Sequence, residues 1–266
     1  MPIPMQITIR PMTLEDEAFV STCSHVDESP EIDACAVERL ALLHRLVEDG
    51  AVVQVALRDG AHAGFAYGVP IERASWGPLG DDLLVVPCLF VLPDAAGRGI
   101  GRRLIEAVEA FAREADRRGL AVIAYRDLPD AEWFMPAAFF ERLGFDAVDT
   151  SGREALLWKP FEPDARPPRR LVPTVAFEPV EGKVAVDLFW NGFCQTSAIE
   201  AARVREVCAE FGDRVLLREV CAEDREAFLA CQIPRAILID GTEIGWGYEA
   251  PKEGIRTAII RALRGK

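Results

Sequence analysis

A glycine-rich loop is the feature of the sequence whose residue types and spacing best suit a chemical task. Glycines occupy alternate positions from 97 to 101, between an apolar run and a segment whose hydrophobic residues recur at helical spacing. Glycine lets backbone N–H groups approach an anion closely, and the first turn of a helix has unpaired donors. Two arginines would add positive charge. We therefore predict a phosphate-binding loop made of Gly97, Arg98, Gly99, Ile100, Gly101 and Arg102.

A competing interpretation of this loop is the dinucleotide-binding fingerprint. That fingerprint follows the first strand of a βαβ unit and has an acidic residue about 20 positions later. Here the apolar run 83–91 predicts the fourth strand of an antiparallel meander, and a helix is expected over 100–118. The position of the loop in the strand order therefore favours a different kind of phosphate site.

Cys194 is the second residue with chemical potential. It follows the apolar segment 184–190 and directly precedes a predicted helix, where the helix end would stabilise a thiolate. Ser197 stands where a second cysteine of a Cys-x-x-Cys pair would be, so no disulfide can form within this motif. The position predicts either a reactive thiol or a fold position without catalytic use, and both interpretations stay open.

Prolines indicate how the chain divides into domains. Six prolines lie between 160 and 179, and proline both fixes φ and removes a backbone donor. We predict a first domain over 1–160, a proline-rich linker over 161–180 and a second domain over 181–266. The second domain is expected to have the element order β-α-β-α-β-β-α.

Composition and charge narrow the classes of function. The net charge of -13 argues against a nucleic-acid partner, because binding phosphate backbones requires a basic surface. No apolar run reaches the length needed to cross a membrane, and the N-terminus, Met1 to Met5, lacks the pattern of a secretory signal. Seven irregularly spaced cysteines suggest reduced thiols, and no metal site is predicted. We expect a cytoplasmic protein.

Three segments together resemble the GNAT superfamily of acyl-coenzyme A-dependent N-acyltransferases. Residues 9–16 look like the family's opening strand and helix start. Residues 96–101 fit its Gln/Arg-x-x-Gly-x-Gly/Ala loop except at Ala96, and residues 139–145 resemble its late Phe-Tyr-Glu-x-Leu-Gly-Phe helix. The resemblance covers the whole first domain and implies a mixed-sheet fold.

The resemblance also implies the chemistry of the first domain. It suggests an N-acetyltransferase that transfers an acetyl group from acetyl-CoA to a small amine by direct attack. The backbone of Leu89, Phe90 and Val91 would pair with the pantetheine arm, and the loop over 97–102 would hold the pyrophosphate. A homodimer is compatible with this interpretation.

Two departures from the family bear on catalysis. The family's usual acid, a tyrosine in the late helix, is Phe140 here, and the 83–91 strand carries no carboxylate that could act as a base. Tyr125 is a candidate substitute acid, with water as the alternative. A second hypothesis is therefore a catalytically weak acyl-CoA-binding protein, joined to an interaction or thiol-redox module centred on Cys194.

The second domain is similar to thioredoxin-like domains. An Asp-x-Phe-Trp sequence precedes Cys194, which stands at the nucleophilic position, and Pro234 would be the cis-proline that faces it. The two-domain order resembles the YoaP-like group of GNAT proteins. The expected fold class is thus α/β (α+β), a GNAT mixed-sheet domain followed by a smaller thioredoxin-like α/β domain.

Overall fold

The structure is a computed structural model that describes residues 5–127, 131, 134–245 and 248–266. The first four residues lie outside the described residues. They are part of the segment Met1 to Met5, for which the sequence predicts no secretory signal. Within the described ranges, no helix is both long and apolar enough to cross a membrane.

The chain divides into two compact units, each made of two separate segments. The first unit comprises Met1–Val20 and Leu43–Leu171, and the second comprises Ser21–Leu42 and Val172–Lys266. Residues 161–183, all of them described, form no helix or strand beyond one isolated bridge at Arg169. This irregular stretch is where the prolines of the predicted linker lie.

A mixed eight-stranded sheet is the framework of the first unit. Its order is β1-β2-β3-β4-β6-β8-β7, and β5 lies off this path because it pairs with β3. Neighbours are antiparallel except β4 and β6, which are parallel, so the predicted mixed sheet is confirmed. The strands are β1 Ile7–Pro11, β2 Val52–Arg58, β3 Ala61–Pro70, β4 Leu83–Val85, β5 Leu89–Val91, β6 Gly119–Tyr125, β7 Asp146–Ser151 and β8 Glu154–Pro160.

The predicted single strand over 83–91 is wrong in one respect, because the structure splits it into β4 and β5. Pro87 lies at the interruption and has no N–H to donate to a neighbouring strand. Before it, β4 pairs with β6, and the last registered partners are Val85 and Ala121. After it, β5 pairs with β3 instead. Strands β5 and β6 therefore diverge beyond this point.

Helices occur in both units, and α3 begins at Ile100, where the sequence pattern indicates. In the first unit, α3 buries an apolar face that includes Ile100, Leu104 and Val108 against the sheet. Burial of this face is the main stabilising contribution of an amphipathic helix. The helices are α1 Glu17–Ser21, α2 Pro30–Glu48, α3 Ile100–Glu114, α4 Ala137–Glu141, α5 Gln195–Ala209, α6 Arg225–Cys231 and α7 Lys252–Leu263.

The second unit contains a four-stranded sheet of order β10-β9-β11-β12. Strands β9 and β10 are parallel, whereas β11 is antiparallel to both β9 and β12. Its core packs the buried residues of β9 against α5 and α7. The predicted order β-α-β-α-β-β-α matches, with strands β9 Val184–Trp190, β10 Val215–Cys221, β11 Ala236–Ile239 and β12 Thr242–Glu243.

The helix α2 belongs to both units along its length. Its residues up to Leu42 group with the second unit and those from Leu43 with the first. The predicted first domain, 1–160, contains the whole segment 21–42, whereas the structure groups this segment with residues 172–266. Adjacency in sequence does not determine which neighbours a helix face meets, so only the packing revealed this assignment.

Candidate functional site

The loop before α3 has a run of backbone donors without internal partners. Gly97 and Gly99 adopt positive φ angles of 72° and 76°, which glycine tolerates readily. Among the described residues, the backbone N–H groups from Gly97 to Arg102 have no hydrogen-bond acceptor, and Arg103 is the first to donate, to Gly99 O at 3.1 Å. A run of unpaired donors at a helix start is a suitable anion-binding surface.

The space in front of this loop fits an anionic group. A Cβ added at Gly97 or at Gly99 would meet no atom within 4 Å, so the backbone faces open space. The loop is fixed from behind, because Arg58 donates from Nη1 to Asp94 O at 2.8 Å and also pairs with the Asp94 carboxylate. The donors are therefore held in position while their outer side stays accessible.

The two predicted arginines of the loop are exposed, and their present contacts are weak. Arg102 Nε lies 2.6 Å from Glu106 Oε1, and Arg98 Nη1 lies 3.9 Å from the Met5 sulfur. A surface cavity of about 200 Å³ adjoins α3 and is lined in part by Arg102, Arg142 and Lys159. Exposed pairs of this kind contribute little to stability, so both arginines can be redirected to a phosphate.

Strand β5 has one edge that the sheet does not use. Phe90 is registered with Phe65 of β3, and in an antiparallel ladder alternate residues direct their backbone groups toward the partner. The flanking bonds from Tyr67 N to Cys88 O and from Leu92 N to Ala63 O follow the same alternation. The backbone groups of Leu89 and Val91 therefore face away from β3.

This edge faces the gap between β5 and β6. The family resemblance implied that Leu89 and Val91 pair with a pantetheine arm, and their backbone groups are left available at this edge. Phe90 differs from that expectation, because its backbone groups are used by β3. The helix start and the strand approach each other here, since a Cβ added at Gly101 would lie 3.4 Å from the Phe139 ring and 3.7 Å from the Leu89 side chain.

Tyr125 is the last residue of β6, whereas β6 pairs with β4 at its opposite end, from Gly119 to Ala121. Its backbone N–H donates to Met135 O at 2.9 Å, and its ring lies 5.5 Å from the Phe134 ring. It is partly buried against the same apolar cluster that Leu89 and Val91 contact. Tyr125 and the β5 residues Leu89 and Val91 thus pack against the same apolar cluster.

Phe140 occupies a closed position instead. Its side chain is 0% exposed and lies 5.1 Å from the Phe139 ring and 5.5 Å from the Phe145 ring, centroid to centroid. A phenyl ring carries no proton to transfer, and an apolar cluster without exposure gives a phenyl ring a favourable environment. Phe140 therefore acts as a core residue of the first unit.

The second candidate centre is Cys194 at the start of α5. The Cys194 sulfur lies 3.0 Å from Thr196 Oγ1, and Arg235 Nη1 donates to the same oxygen at 2.9 Å. Because Arg235 supplies a proton to that oxygen, the single hydroxyl proton of Thr196 is available to the sulfur. Thr196 and Arg235 were not predicted, since their contact with Cys194 depends on how β11 packs beside α5.

One expectation about this centre is wrong. The Ile233–Pro234 bond is trans, since no cis peptide bond occurs among the described residues. The hydroxyl that contacts Cys194 is that of Thr196, whereas Ser197 Oγ accepts the backbone N–H of Asn191 at 3.0 Å. At Pro234 the carbonyl accepts a hydrogen bond from Asn191 Nδ2 at 2.9 Å, which ties β11 to the loop before α5.

The remaining cysteines differ from Cys194 in their surroundings. All seven are free. Burial raises the pKa of Cys208 to about 11, and burial together with a hydrogen bond to Glu223 raises that of Cys221 to about 12. Burial also raises the pKa of Cys35. Within the described ranges, no group of three or more His, Cys, Asp or Glu residues could hold a metal ion.

Comparisons with known proteins agree with the geometry of the first unit. Residues 49–147 match the family model for the acetyltransferase (GNAT) domain. This segment contains β2 to β6, the predicted phosphate-binding loop over 97–102, α3 and α4. A search of curated proteins found no match.

Solved structures similar to this chain include three acetyltransferases. A GNAT family acetyltransferase from Brucella melitensis in complex with acetyl-CoA is 22% identical, with 61% of this chain and 93% of that chain covered and a TM-score of 0.40. YncA from Salmonella typhimurium, with acetyl-CoA, is 20% identical over 60% and 97%, with a TM-score of 0.45. PaiA N-acetyltransferase from Thermoplasma acidophilum, with coenzyme A, is 17% identical over 59% and 99%, with a TM-score of 0.41. At these scores the likeness carries no argument about activity.

Proposed function

Starting from a chain that carries an acetyltransferase (GNAT) domain at residues 49–147, we propose that it transfers an acetyl group from acetyl-CoA to a small amine. The observation that carries this proposal is the run of unpaired N–H groups from Gly97 to Arg102, next to the open edge of β5. The loop suits a pyrophosphate, and the strand edge suits the amide groups of a pantetheine arm.

The chain's own residues divide the task into binding and positioning. The N–H groups of the loop and the side chains of Arg98 and Arg102 hold the phosphates, while the backbone of Leu89 and Val91 orients the arm. Acetyl-CoA supplies a thioester, which an amine nitrogen can attack directly. Holding the two reactants in a fixed geometry replaces a bimolecular encounter, which is a large part of the rate gain in such reactions.

Proton transfer is assigned to Tyr125. A leaving thiolate must be protonated, and Phe140 has no proton to give. Tyr125 carries a hydroxyl, is only partly buried and contacts the cluster that underlies β5. The base that neutralises the amine is assigned to water, because the buried residues of β4 are all apolar. A small amine as the acceptor, a cytoplasmic location and a homodimer stay predictions from the sequence.

Replacing Gly99 by Glu tests the phosphate site. The change adds bulk and negative charge where the phosphates would lie, and loss of two or three charge-assisted bonds would weaken acetyl-CoA binding at least about a hundredfold. The measurement is isothermal titration calorimetry with acetyl-CoA and with coenzyme A.

Gly152→Glu is the matched control for Gly99→Glu. Gly152 also has a positive φ, 57°, and a Cβ there also meets no atom within 4 Å, but it lies in the turn between β7 and β8. The two variants therefore share the backbone strain and the added charge. Near-normal affinity in a folded Gly99→Glu protein, or an equal loss in Gly152→Glu, would refute the assignment.

Replacing Tyr125 by Phe tests the proton donor. General acid catalysis contributes about 10²–10⁴-fold, so we expect a fall in turnover of that order with little change in acetyl-CoA affinity. The measurement is thiol release with a panel of small amines. A loss below about threefold would dismiss Tyr125 and leave water as the acid.

Two observations favour a second candidate function. Phe140 stands where the family has its usual tyrosine acid, and the buried residues of β4 are apolar. We propose as an alternative a catalytically weak acyl-CoA-binding protein whose second unit is a thioredoxin-like interaction or thiol-redox module. The order β10-β9-β11-β12 with parallel β9 and β10 supports a thioredoxin-like arrangement, and Cys194 precedes the first helix after β9. Calorimetric binding of acetyl-CoA without thiol release for any amine would favour this alternative.

A further inference from the structure

Arg39 joins two segments of the second unit that are far apart in sequence. Its side chain is buried, and it donates from Nη1 to Ser21 O at 2.9 Å and from Nε to Phe193 O at 2.6 Å. Ser21 lies two residues before Cys23, and Phe193 directly precedes Cys194. One guanidinium therefore holds two cysteine-bearing segments together.

The Cys23 thiol lies near the start of α5, where it contacts Gln195, the residue after Cys194. The backbone N–H of Gln195 and the Arg39 guanidinium both donate toward the Cys23 sulfur. Cys23 and Ser24 have positive φ angles of 51° and 78°. Such angles are uncommon in residues other than glycine and persist where the surrounding structure imposes them. The loop is thus held in a conformation that presents Cys23 to the helix start.

We propose that Cys23 and Cys194 form a reversible intrachain disulfide, through which the second unit exchanges electrons with low-molecular-weight disulfides of the glutathione type. This inference does not depend on acyl transfer. It extends the thiol-redox alternative by naming the cysteine that resolves the mixed disulfide. Sequence motifs gave no indication of this pair, because the partner of Cys194 lies outside the Cys-x-x-Ser segment.

The exchange is balanced in two steps. The Cys194 thiolate, having lost its proton to solvent, attacks one sulfur of the disulfide, and a Cys194–glutathione bond forms while a glutathione thiolate leaves and takes a proton. Cys23 then loses its proton and attacks the Cys194 sulfur. The bond to glutathione breaks, a second glutathione leaves as thiol, and the two protein thiols are oxidised by two electrons in total.

The surroundings assign the two roles. Cys194 lies at the helix start, and the hydroxyl of Thr196, which accepts from Arg235, can donate to its sulfur. Burial raises the pKa of Cys23, although Arg39 opposes this effect. Because the helix start and the Thr196 hydroxyl are placed to stabilise a thiolate at Cys194, we assign the attack to Cys194 and the resolving role to Cys23. In the described part of the chain, the buried side-chain nitrogen of Gln195 has no acceptor.

The test is reaction of the reduced full-length chain with glutathione disulfide in the absence of oxygen. Intact mass and peptide mapping should show a Cys23–Cys194 cross-link with loss of two hydrogens and release of two glutathiones for each chain. Cys23→Ser should stop at one glutathione on Cys194 and release one. Cys35→Ser removes another partly buried thiol of the same unit and should react like the unaltered chain.

The outcomes separate this proposal from its alternatives. A stable glutathione adduct on Cys194 in the unaltered chain would indicate that Cys194 acts alone, and it would refute the Cys23–Cys194 disulfide. An intrachain disulfide that still forms at Cys194 in Cys23→Ser would also overturn it. Absence of any reaction at Cys194 would overturn both the pair and the thiol-redox alternative. Circular dichroism of each variant shows whether it is folded, and a lost acetyltransfer activity would leave all these outcomes unaffected.

Discussion

Asp16 is a fully buried carboxylate that three neighbours stabilise. The side chain is 0% exposed, and Oδ1 lies 3.0 Å from Arg10 Nη2 and 2.9 Å from His62 Nε2. The Thr13 backbone N–H donates to Oδ2 at 2.7 Å. Burial alone would raise the pKa of Asp16, but the hydrogen bonds from Arg10, Thr13 and His62 outweigh it and hold the pKa well below its usual range.

Replacing Asp16 by Asn should destabilise the first unit by about 3 kcal/mol, because Arg10 would keep a partly buried charge without its counter-ion. A carboxyl with a depressed folded pKa contributes stability above its unfolded pKa of about 4. That contribution is lost as the pH falls below about 4 toward the folded pKa. The measurement is urea denaturation from pH 3 to pH 7.

Asp164→Asn is the control for Asp16→Asn. Asp164 also pairs with an arginine, Arg118, but its side chain is 79% exposed. Solvent and salt screen such a pair, so little change in the free energy of unfolding is expected. If both variants unfold alike, or if the loss in Asp16→Asn is the same at pH 3 as at pH 7, the proposed ionised state of Asp16 is wrong.

At the scale of secondary-structure elements, the pairing of β3 with β5 decides where the open strand edge lies. A Cβ added at Gly64 of β3 would lie 2.4 Å from Phe90 O and 3.0 Å from Val91 Cα. Only glycine allows this close approach of two backbones. The sequence showed an apolar strand at this position, but it did not indicate that glycine was required.

Gly64→Ala should force β5 away from β3, with a cost of about 1–3 kcal/mol and weaker acetyl-CoA binding. Gly245→Ala is the control, because Gly245 lies outside the proposed binding site and a Cβ there would meet no atom within 4 Å. Thermal unfolding and calorimetry give the two readouts. A Gly64→Ala protein with unchanged stability and affinity would show that β5 does not need this approach.

At the scale of the whole molecule, the second unit includes the segment Ser21–Leu42, which is far in sequence from the rest of that unit. Glu31 pairs with Arg203, with Nε to Oε1 at 2.8 Å, and Arg39 holds the Phe193 carbonyl. The predicted domain 181–266 lacks both of these residues. Loss of the buried Arg39 hydrogen bonds should lower the stability of the unit, because a buried carbonyl that loses its donor keeps the cost of desolvation.

Arg39→Met should destabilise the second unit by about 1–3 kcal/mol for each carbonyl left without a donor. The fragment 181–266 alone should fail to unfold cooperatively. Arg73→Met is the control, since Arg73 is 56% exposed and lies 3.4 Å from Asp49. Chemical denaturation followed by circular dichroism provides the measurement. A fragment 181–266 that unfolds like the intact second unit would contradict the role of residues 21–42.

The sequence alone determined the features that depend on local order. The alternating glycines before α3 predicted the loop, the apolar periodicity predicted α3, and the prolines after 160 predicted an irregular stretch. These features follow from backbone freedom and helical spacing, which act within a few residues. The resemblance of three short segments to a known family also led us to expect the mixed sheet and the match of residues 49–147 to the acetyltransferase (GNAT) family model.

Only the tertiary structure decided which distant residues meet. Pro87 ends one strand, but the switch of β5 to β3 depends on a glycine in another strand. Likewise, the sequence placed Cys194 at a helix start, yet Thr196, Arg235 and Arg39 reach that helix through packing between separate elements. Contacts between segments far apart in the chain arise from the burial of side chains as a whole, and a linear pattern does not encode them.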